Sequence, residues 1–322
     1  MKTESLRTLV IGANGQLGTE LVEALADRHG KDRIVTADIR GDGPDAACRH
    51  EVLDVTSAEA LDRVIEHHRI GQIYNLAAAL SATGEVKPEW AWNLNMGGLL
   101  NVLEAARRHG IRKVFWPSSI AAFGPSTPKD RTPQDTVMDP RTVYGISKLA
   151  GEGWCRWYRA KHNVDVRSLR YPGLISYKTA PGGGTTDYAI DIFHQALGAG
   201  SYRCFLNADQ ELPMMYMADA VRATIELMEA PVDRLTEFGS YNLAGFSVTP
   251  AELAAEIKKR IPGFQISYAA DFRQHIAASW PHSIDDSKAR SDWGWQPRFD
   301  LQAVVPHMLA HVRKAAEGCV SA

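Results

Sequence analysis

The sequence predicts an α/β protein, in which a doubly wound parallel sheet is followed by a smaller C-terminal α/β lobe. Short apolar runs alternate with amphipathic helical patterns through residue 170, and this alternation is typical of consecutive βαβ units. A glycine-rich turn joins the first apolar run to the first helical pattern. Beyond residue 170 the alternation becomes irregular, which marks the second part of the chain.

The predicted strands and helices follow one another at regular intervals in the first part of the chain. Because strand–helix–strand crossovers are right-handed, this order favours a parallel sheet covered on both faces. The predicted strands are residues 8–11, 33–37, 50–53, 72–77, 113–116 and 164–169. The two longest helical patterns are residues 93–108 and 143–161.

Composition excludes several classes of protein. The chain has 322 residues, of which 45% are hydrophobic and 23% charged, as in globular proteins. Its formal charge is −2, so it lacks the basic surplus that neutralises a phosphate backbone, and we expect no nucleic-acid partner. No apolar run approaches the ~18 residues of a membrane span, and the first residues lack a signal-peptide core. We therefore expect a cytoplasmic protein with no membrane partner.

The cysteines show no pattern of metal or disulfide chemistry. The four residues, Cys48, Cys155, Cys204 and Cys319, are far apart in the chain. They form no C-x-x-C pair and no Cys/His cluster with zinc spacing. We expect reduced thiols and no metal.

Three glycines follow the first predicted strand, in Gly12-Ala13-Asn14-Gly15-Gln16-Leu17-Gly18. The first glycine permits a tight turn, the second lets the backbone approach a pyrophosphate, and the third lets the helix pack closely on the sheet. Free N–H groups at a helix N-terminus bind phosphates. The setting between strand and helix favours a dinucleotide site over a plain turn. The predicted contacts are Gly12, Asn14, Gly15, Gln16, Leu17 and Gly18.

The change of pattern after residue 170 divides the chain into two expected domains. Residues 1–170 are predicted to form an NAD-binding domain of the Rossmann type. Residues 171–322 are predicted to form mainly a substrate-binding lobe, with the chain free to cross back to the sheet.

Acidic residues at the next two strand ends suggest how the nucleoside is held. Asp38 can accept hydrogen bonds from the adenosine ribose and would repel a 2′-phosphate, which favours NAD over NADP. Arg40 weakens that distinction, since an arginine can accept a 2′-phosphate. Asp54 and Val55 could reach the adenine, although Asp54 could equally cap a helix.

A hydroxyl, a phenol and an ammonium group form the candidate chemical site. Tyr144 and Lys148 are four residues apart on a predicted helix and so share one face. Ser119 follows the fifth predicted strand, and open α/β sheets bind ligands at the carboxyl ends of their strands. A tyrosine beside an ammonium has a lowered pKa and can accept a proton from a substrate alcohol. Alone, the pair could be an ordinary helix-surface contact.

With these motifs identified, the chain resembles the extended short-chain dehydrogenase/reductase family, which includes NAD-dependent epimerases and dehydratases. The resemblance rests on the glycine turn at Gly12, Gly15 and Gly18, on Asn95-Met96-Gly97-Gly98, and on Ser119, Tyr144 and Lys148. It implies that Asn95 holds a helix and a proton-relay water beside the lysine. The implied cofactor contacts, beyond those of the turn and of Asp38, Asp54 and Val55, are Leu76, Ala77, Ala78, Asn95, Tyr144, Lys148 and Tyr171.

The second part of the chain resembles one branch of that family, the short-chain L-threonine 3-dehydrogenases. The matching segments are residues 170–176, 181–188, 214–217, 279–281 and 292–295. The resemblance implies NAD-dependent oxidation of the L-threonine 3-hydroxyl to 2-amino-3-ketobutyrate. In it Tyr144 is the base, Lys148 lowers its pKa, and Ser119 positions the hydroxyl. A homodimer that pairs through helices 95–108 and 143–161 is also implied.

An amino-acid substrate needs a site for its carboxylate. Thr185 and Thr186 follow Gly184 at the start of a predicted helix, where hydroxyls and free N–H groups suit an anion. An ordinary helix cap is the alternative, and the resemblance favours Thr186 as a ligand. Ser81 could hold substrate or cap a turn. Trp280 could form a wall over the substrate methyl group or pack in the core.

Two other functions remain possible at this stage. A nucleotide-sugar epimerase would use the same fold, whereas dehydratases usually carry an acidic pair where Ile120 and Ala121 follow Ser119. A non-catalytic dinucleotide sensor would be expected to lack Tyr144 or Lys148, and both are present.

Overall fold

Seven parallel strands form the central sheet of the computed structural model, which describes residues 6–45, 48–179 and 182–320, with residues 315–320 by backbone only. Their spatial order is 3-2-1-4-5-6, with a short tenth strand added beside the sixth. The strands are β1 (Arg7–Ile11), β2 (Ile34–Asp38), β3 (Arg49–Val52), β4 (Ile70–Asn75), β5 (Lys113–Ser119), β6 (Val166–Tyr171) and β10 (Tyr241–Asn242). This order confirms the predicted Rossmann-type sheet.

Helices cover both faces of this sheet because alternate side chains of each strand point to opposite sides. On one face the core includes Tyr74, Phe115 and Leu169, and on the other Ile73 and Val114. The first face packs against α1 (Gln16–His29), α8 (Met217–Glu229) and α11 (Ser287–Trp293). The second packs against α2 (Ala58–His68), α5 (Gly98–His109) and α6 (Val143–His162). Two short helices, α3 (Ser81–Val86) and α4 (Pro88–Trp92), follow β4.

A separate hydrophobic core holds the smaller lobe together. It includes Tyr188, Phe193, Leu253, Phe264 and Met308, all buried. The lobe's strands are β7 (Gly173–Ile175), β9 (Leu212–Tyr216) and β11 (Phe246–Val248) in one sheet and β8 (Ser201–Cys204) and β12 (Gln265–Tyr268) in another. Its helices are α7 (Tyr188–Gly198), α9 (Pro250–Lys258), α10 (Phe272–Ser279) and α12 (Leu301–Val320).

The chain crosses back from the lobe to the central sheet. Helix α8 packs beside α1, and β10 pairs in parallel with β6 through Tyr241 and Asn242. Residues beyond 170 therefore contribute to both parts of the molecule.

The helix predicted at residues 93–108 differs most from its prediction. Helical backbone begins earlier, at Pro88, and residues 93–97 form a π-helical turn before α5. The turn allows Asn95 to bond the backbone of the loop after β4 rather than its own helix. Single π turns of this kind are frequent at functional sites.

Some sequence features fall outside the structural description. Pro181, which begins the matching segment 181–188, and the side chain of Cys319 lie outside the described residues. Among the residues that are described, no helix is both long and apolar enough to cross a bilayer.

Candidate active site

The glycine turn between β1 and α1 has the shape of a phosphate cradle. Gly12 has a φ of +75°, and a Cβ there would lie 2.7 Å from the Ala77 backbone nitrogen. A Cβ on Gly18 would collide with the Gly12 carbonyl oxygen. Gly15 is the N-cap of α1 and supplies no side-chain cap, so the first N–H groups of the helix face outward. A pyrophosphate fits this place because the glycines leave room for it beside the backbone at the start of the helix.

Asp38 lies at the edge of that turn, where the sequence predicts contact with a ribose. Its Oδ2 accepts a hydrogen bond of 3.1 Å from the Asn14 N–H, and its Oδ1 accepts one of 3.2 Å from the Arg40 N–H. The Arg40 guanidinium donates to the Asn14 carbonyl over 2.6 Å. The Asp38 carboxylate and the Arg40 guanidinium therefore lie together at the end of the glycine turn where a nucleoside is expected.

Asp54 and Val55 have local structural roles instead of lining the cavity. The Asp54 Oδ1 accepts bonds from the Thr56 N–H and hydroxyl, at 2.9 and 2.7 Å, which closes the turn before α2. Val55 is buried, and its carbonyl accepts a 3.0 Å bond from the Asn101 amide. An adenine contact for either residue stays a prediction.

One cavity of about 410 Å³ runs from the glycine turn to the Ser119–Tyr144 region, within the ordinary size of a ligand pocket. It lies where the order of the central strands reverses, between β1 and β4. Most predicted site residues line it: Gly12, Asn14, Gly15, Gln16, Leu17, Gly18, Leu76, Ala78, Ser81, Ser119, Tyr144, Lys148, Tyr171, Gly184, Thr185, Thr186 and Trp280. Asp38, Asp54, Val55, Ala77 and Asn95 are not part of its lining.

Ser119, Tyr144 and Lys148 meet at the end of the cavity away from the turn. Ser119 is the last residue of β5, and its hydroxyl accepts a 3.2 Å bond from the Ala121 N–H. Tyr144 is in the first turn of α6, which the Thr142 hydroxyl caps. The Lys148 Nζ donates to the Pro117 carbonyl over 2.6 Å and lies 5.3 Å from the centre of the Tyr144 ring.

Burial dominates the acid–base properties of this group. It raises the pKa of Tyr144 to about 12, against the hydrogen bond that the Ser119 hydroxyl supplies. Burial also lowers the pKa of Lys148 to about 7, while Cys155 and Glu152 act in the opposite direction. From the sequence, Lys148 is expected to lower the pKa of Tyr144. Within the chain itself the desolvation of the phenolate is the larger effect, and the pKa is raised.

Asn95 ties two elements of the site together. Its Oδ1 accepts a 2.8 Å bond from the Ala79 N–H, and its Nδ2 donates to the Ala79 carbonyl and to the Ser147 hydroxyl. Ser147 in turn donates to the Tyr144 carbonyl over 2.7 Å. Asn95 thus connects the loop after β4 with the turn of α6 that carries the tyrosine and the lysine.

The glycine-rich loop before α7 brings the two threonines to the cavity. The helix begins after Asp187, which serves as N-cap, so Thr186 is not the cap that the sequence left possible. The Asp187 Oδ2 accepts bonds of 2.9 and 2.8 Å from the Gly183 and Gly184 N–H groups. Sequence reasoning missed Asp187 as a site residue, although an acid after Gly-Gly-Gly-Thr-Thr was a visible signal.

Trp280 both packs in the lobe and lines the cavity. It is 4% exposed and belongs to the lobe's hydrophobic core. The Lys129 ammonium donates to the carbonyls of Ala278 and Trp280, over 3.1 and 3.0 Å. The two alternatives for this residue, wall and core, are therefore compatible.

Asp130, Glu211 and His282 are the described residues whose ligand atoms come close enough to suggest a metal site, within 4.8 Å of one another. None of the three lines the cavity. Exposed acidic groups of this kind are common without an ion.

Fold and site together define a dinucleotide-dependent protein of the α/β class. A model of the NAD dependent epimerase/dehydratase family matches residues 8–244. The chain therefore belongs to the NAD dependent epimerase/dehydratase family, whose cofactor is NAD. An uncharacterized epimerase/dehydratase of Staphylococcus haemolyticus is 46% identical over 312 residues, which cover 96% of this chain and 98% of that protein. The family resemblance that the sequence motifs carry is confirmed.

Among solved structures, the chain is similar to several L-threonine dehydrogenases. A GalE-like L-threonine dehydrogenase from Cupriavidus necator, in its holo form, is 62% identical with a TM-score of 0.94, covering 95% of this chain and 99% of that one. The L-threonine dehydrogenase of Phytophthora infestans is 47% identical with a TM-score of 0.93, covering 96% and 99%. A monomeric L-threonine 3-dehydrogenase of metagenomic origin is 45% identical, with a TM-score of 0.93, covering 96% and 99%. The UDP-glucose 4-epimerase of Thermotoga maritima is 20% identical, with a TM-score of 0.86, covering 97% and 100%, and shares the fold alone.

Proposed function

We propose that the protein oxidises the 3-hydroxyl of L-threonine to 2-amino-3-ketobutyrate, with NAD as hydride acceptor. The observation that carries this proposal is the single cavity, which joins a phosphate cradle at Gly12 to Ser119, Tyr144 and Lys148. The similarity to two L-threonine dehydrogenases, at 62% and 47% identity, supports the choice of substrate.

The residues of the cavity wall divide the chemistry of alcohol oxidation among them. Tyr144 is the general base that takes the proton from the substrate hydroxyl. This role requires the phenol oxygen to lie within hydrogen-bond reach of that proton. Ser119 bonds the same oxygen and fixes its direction. Lys148 supplies a positive charge one helical turn from the phenol, which favours the phenolate. When bound, NAD accepts the hydride from the carbon that carries the oxygen.

The glycine turn and the strand end beyond it would hold the cofactor. The backbone N–H groups from Gln16 to Gly18, at the start of α1, would bind the pyrophosphate, and Asp38 would bind the adenosine ribose. Asp38 also repels a 2′-phosphate, so NAD is favoured over NADP. Arg40 pairs with Asp38 and so is less available to a 2′-phosphate than a free arginine would be.

The loop before α7 would recognise the amino-acid part of the substrate. The Thr186 hydroxyl donates to the carboxylate, and Gly184 allows the backbone to come close. Charge-assisted hydrogen bonds of this kind are about twice as strong as neutral ones. Trp280 packs against the methyl group that distinguishes threonine from serine.

A twofold homodimer in the cytoplasm completes the proposal. Helix α6 presents a stripe of apolar side chains, in which Trp154 is 39% and Trp157 is 43% exposed. Helices α5 and α6 lie side by side on one face of the sheet, where a second copy can pair with them. The described cysteines are free and buried, which suits a reducing compartment.

The proposal is tested by NADH formation from a panel of 3-hydroxy amino acids. UDP-sugars are tested in parallel for formation of the 4-epimer, because epimerisation regenerates NAD and leaves no net NADH. L-threonine should exceed L-serine by about 10–200-fold in kcat/KM, the usual value of one methyl group in an apolar pocket. D-threonine should fail because it inverts Cα and Cβ together, which misplaces the ammonium group and the 3-hydroxyl. Turnover of UDP-sugars without turnover of threonine would show the epimerase alternative to be correct.

A further inference from the structure

A pair of fully buried charges lies directly behind the cavity, and the proposed chemistry does not use it. Glu152 on α6 is 0% exposed, and Arg170 on β6 is 2% exposed. The Arg170 Nε donates to the Glu152 Oε1 over 2.9 Å, and its terminal nitrogen donates to Oε2 over 2.8 Å. Such two-point contact fixes both side chains in one geometry.

Glu152 and Arg170 each also form a hydrogen bond to a residue of another element. The Ser118 hydroxyl donates to the Glu152 Oε1 over 2.6 Å. The other terminal nitrogen of Arg170 donates to the Gln134 carbonyl and the Asn242 amide oxygen, over 2.9 and 3.0 Å. The pair therefore connects β5, β6, β10, α6 and the loop that precedes α6. A buried ion pair is costly to desolvate unless its remaining hydrogen bonds are satisfied, as they are here.

The position of Glu152 relates it to the candidate catalytic residues in two ways. Ser118, which it binds, directly precedes Ser119 at the end of β5. Lys148 lies one turn earlier on the same helix, so both side chains share a face of α6.

We propose that Glu152, held by Arg170, is a positioning residue for the reaction: its carboxylate fixes the Ser118–Ser119 end of β5 against α6 and keeps the Lys148 ammonium charged. The inference rests on the proposed function, because it assigns its roles to Ser119 and Lys148.

The electrostatic surroundings of Lys148 support the second role. Burial lowers its pKa to about 7, and Glu152 acts against that change. The Lys148 ammonium is faced by Tyr144, Glu152 and Cys155 from α6. From β5 it is faced by the Pro117 carbonyl and the Trp116 ring.

Arg170 faces Glu152 from β6, and Arg156 on α6 acts on the neighbouring Cys155. Tyr171 of β6 lines the same cavity and bonds to Thr224. Among these groups Glu152 is the carboxylate one helical turn from Lys148. Its loss should favour the neutral amine.

The test is the double variant Glu152→Gln/Arg170→Met, since removal of both charges avoids leaving a buried cation unpaired. Asp219→Asn is the matched control, because Asp219 is also a buried carboxylate on a helix that pairs with an arginine, Arg222. Both variants should lose stability. Lysine labelled with ¹³C at Cε, assigned with Lys148→Met, reports the titration of Lys148 without any turnover.

We expect the double variant to shift the Lys148 titration midpoint to lower pH, by about one unit. The acid limb of kcat/KM for L-threonine should then move to higher pH, because Tyr144 loses its charged neighbour, with about tenfold lower activity at neutral pH. Asp219→Asn should shift neither.

An unchanged midpoint and an unchanged acid limb in a folded double variant would overturn the proposal and leave Glu152 a structural residue. If the wild-type protein does not oxidise threonine while the midpoint still shifts, the proposed function fails and the role of Glu152 toward Lys148 stands.

Discussion

The hydroxyl of Ser81 lies 3.1 Å from the hydroxyl of Thr185, although 104 residues separate them in the chain. Ser81 begins α3 beside the central sheet, and its Oγ also accepts a 3.3 Å bond from the Thr185 N–H. Both side chains are buried. The contact anchors the loop before α7 to the sheet, so the neighbouring Thr186 has a defined place in the cavity.

Thr186→Ala should therefore weaken substrate binding without affecting the fold. We expect KM for L-threonine to rise about tenfold or more, the usual cost of a hydrogen bond to a charged group. NAD affinity should stay near that of the wild type. Steady-state kinetics and calorimetric titration measure the two quantities.

Thr249→Ala is the control, since Thr249 caps α9 outside the cavity. This variant should lower stability by about 1 kcal/mol and leave KM unchanged. The reverse pattern would make Thr186 a structural residue only.

Tyr144→Phe removes the proposed base and keeps the ring. We expect kcat to fall by about 10²–10⁴, the usual contribution of a general acid–base group. NADH binding, followed by fluorescence, should barely change. Tyr158→Phe on the same helix is the control: the Tyr158 hydroxyl bonds to Glu104 outside the cavity, so this variant should retain full activity. Wild-type turnover in Tyr144→Phe would remove this tyrosine from the mechanism.

The buried ammonium of Lys148 should be visible in the pH dependence of stability. Its folded-state pKa of about 7 lies below the ordinary value of 10.5. Between these values the unfolded chain binds more protons, so stability contributed through this group rises with pH from about 7 to 10. Lys148→Met should flatten the rise of Tm over that range, measured without added NAD. Lys31→Met, at an exposed lysine paired with Asp45, should leave the rise intact. A parallel rise in Lys148→Met would show that other groups cause it.

Local patterns account for what could be predicted from the sequence. The glycine turn and the Tyr144–Lys148 pair are each contained in one short segment, where a turn or a helical period determines the geometry. The π-helical turn around Asn95 and the bond from Lys129 to Trp280 join segments far apart in the chain. Such contacts depend on how separate elements pack against one another, which no short pattern encodes.

The same distinction applies to charge. The sequence shows that Tyr144 and Lys148 are neighbours, and this favours a lowered tyrosine pKa. It does not show how deeply both groups are buried, and burial reverses the direction. Arg40 was visible as a residue that could accept a 2′-phosphate, but its pairing with Asp38 appears only in the structure.

Asp38→Ser should relax the choice of cofactor. Loss of the carboxylate removes the repulsion toward a 2′-phosphate and releases Arg40 from its partner. We expect NADP to become usable and NAD affinity to fall, measured as the ratio of the two dissociation constants. Asp42→Ser changes an exposed acid on the same loop, and the ratio should not change there. An unaltered ratio in Asp38→Ser would mean that Asp38 does not face the ribose.

The apolar stripe of α6 should make the protein a twofold dimer. Trp154 and Trp157 pack edge to face, with ring centres 5.7 Å apart, yet both remain partly exposed in a single chain. Ile146 continues the stripe at the start of the helix. Cyclic dimers are the commonest closed assemblies. Light scattering at micromolar concentration should give twice the chain mass of 35.5 kDa.

The double variant Trp154→Glu/Trp157→Glu should give the single-chain mass, because buried charges would face each other across the twofold axis. Phe272→Glu, an exposed aromatic of α10 in the lobe, should stay dimeric. A clean single-chain mass for the wild type would contradict the dimer and align this chain with its monomeric structural relative.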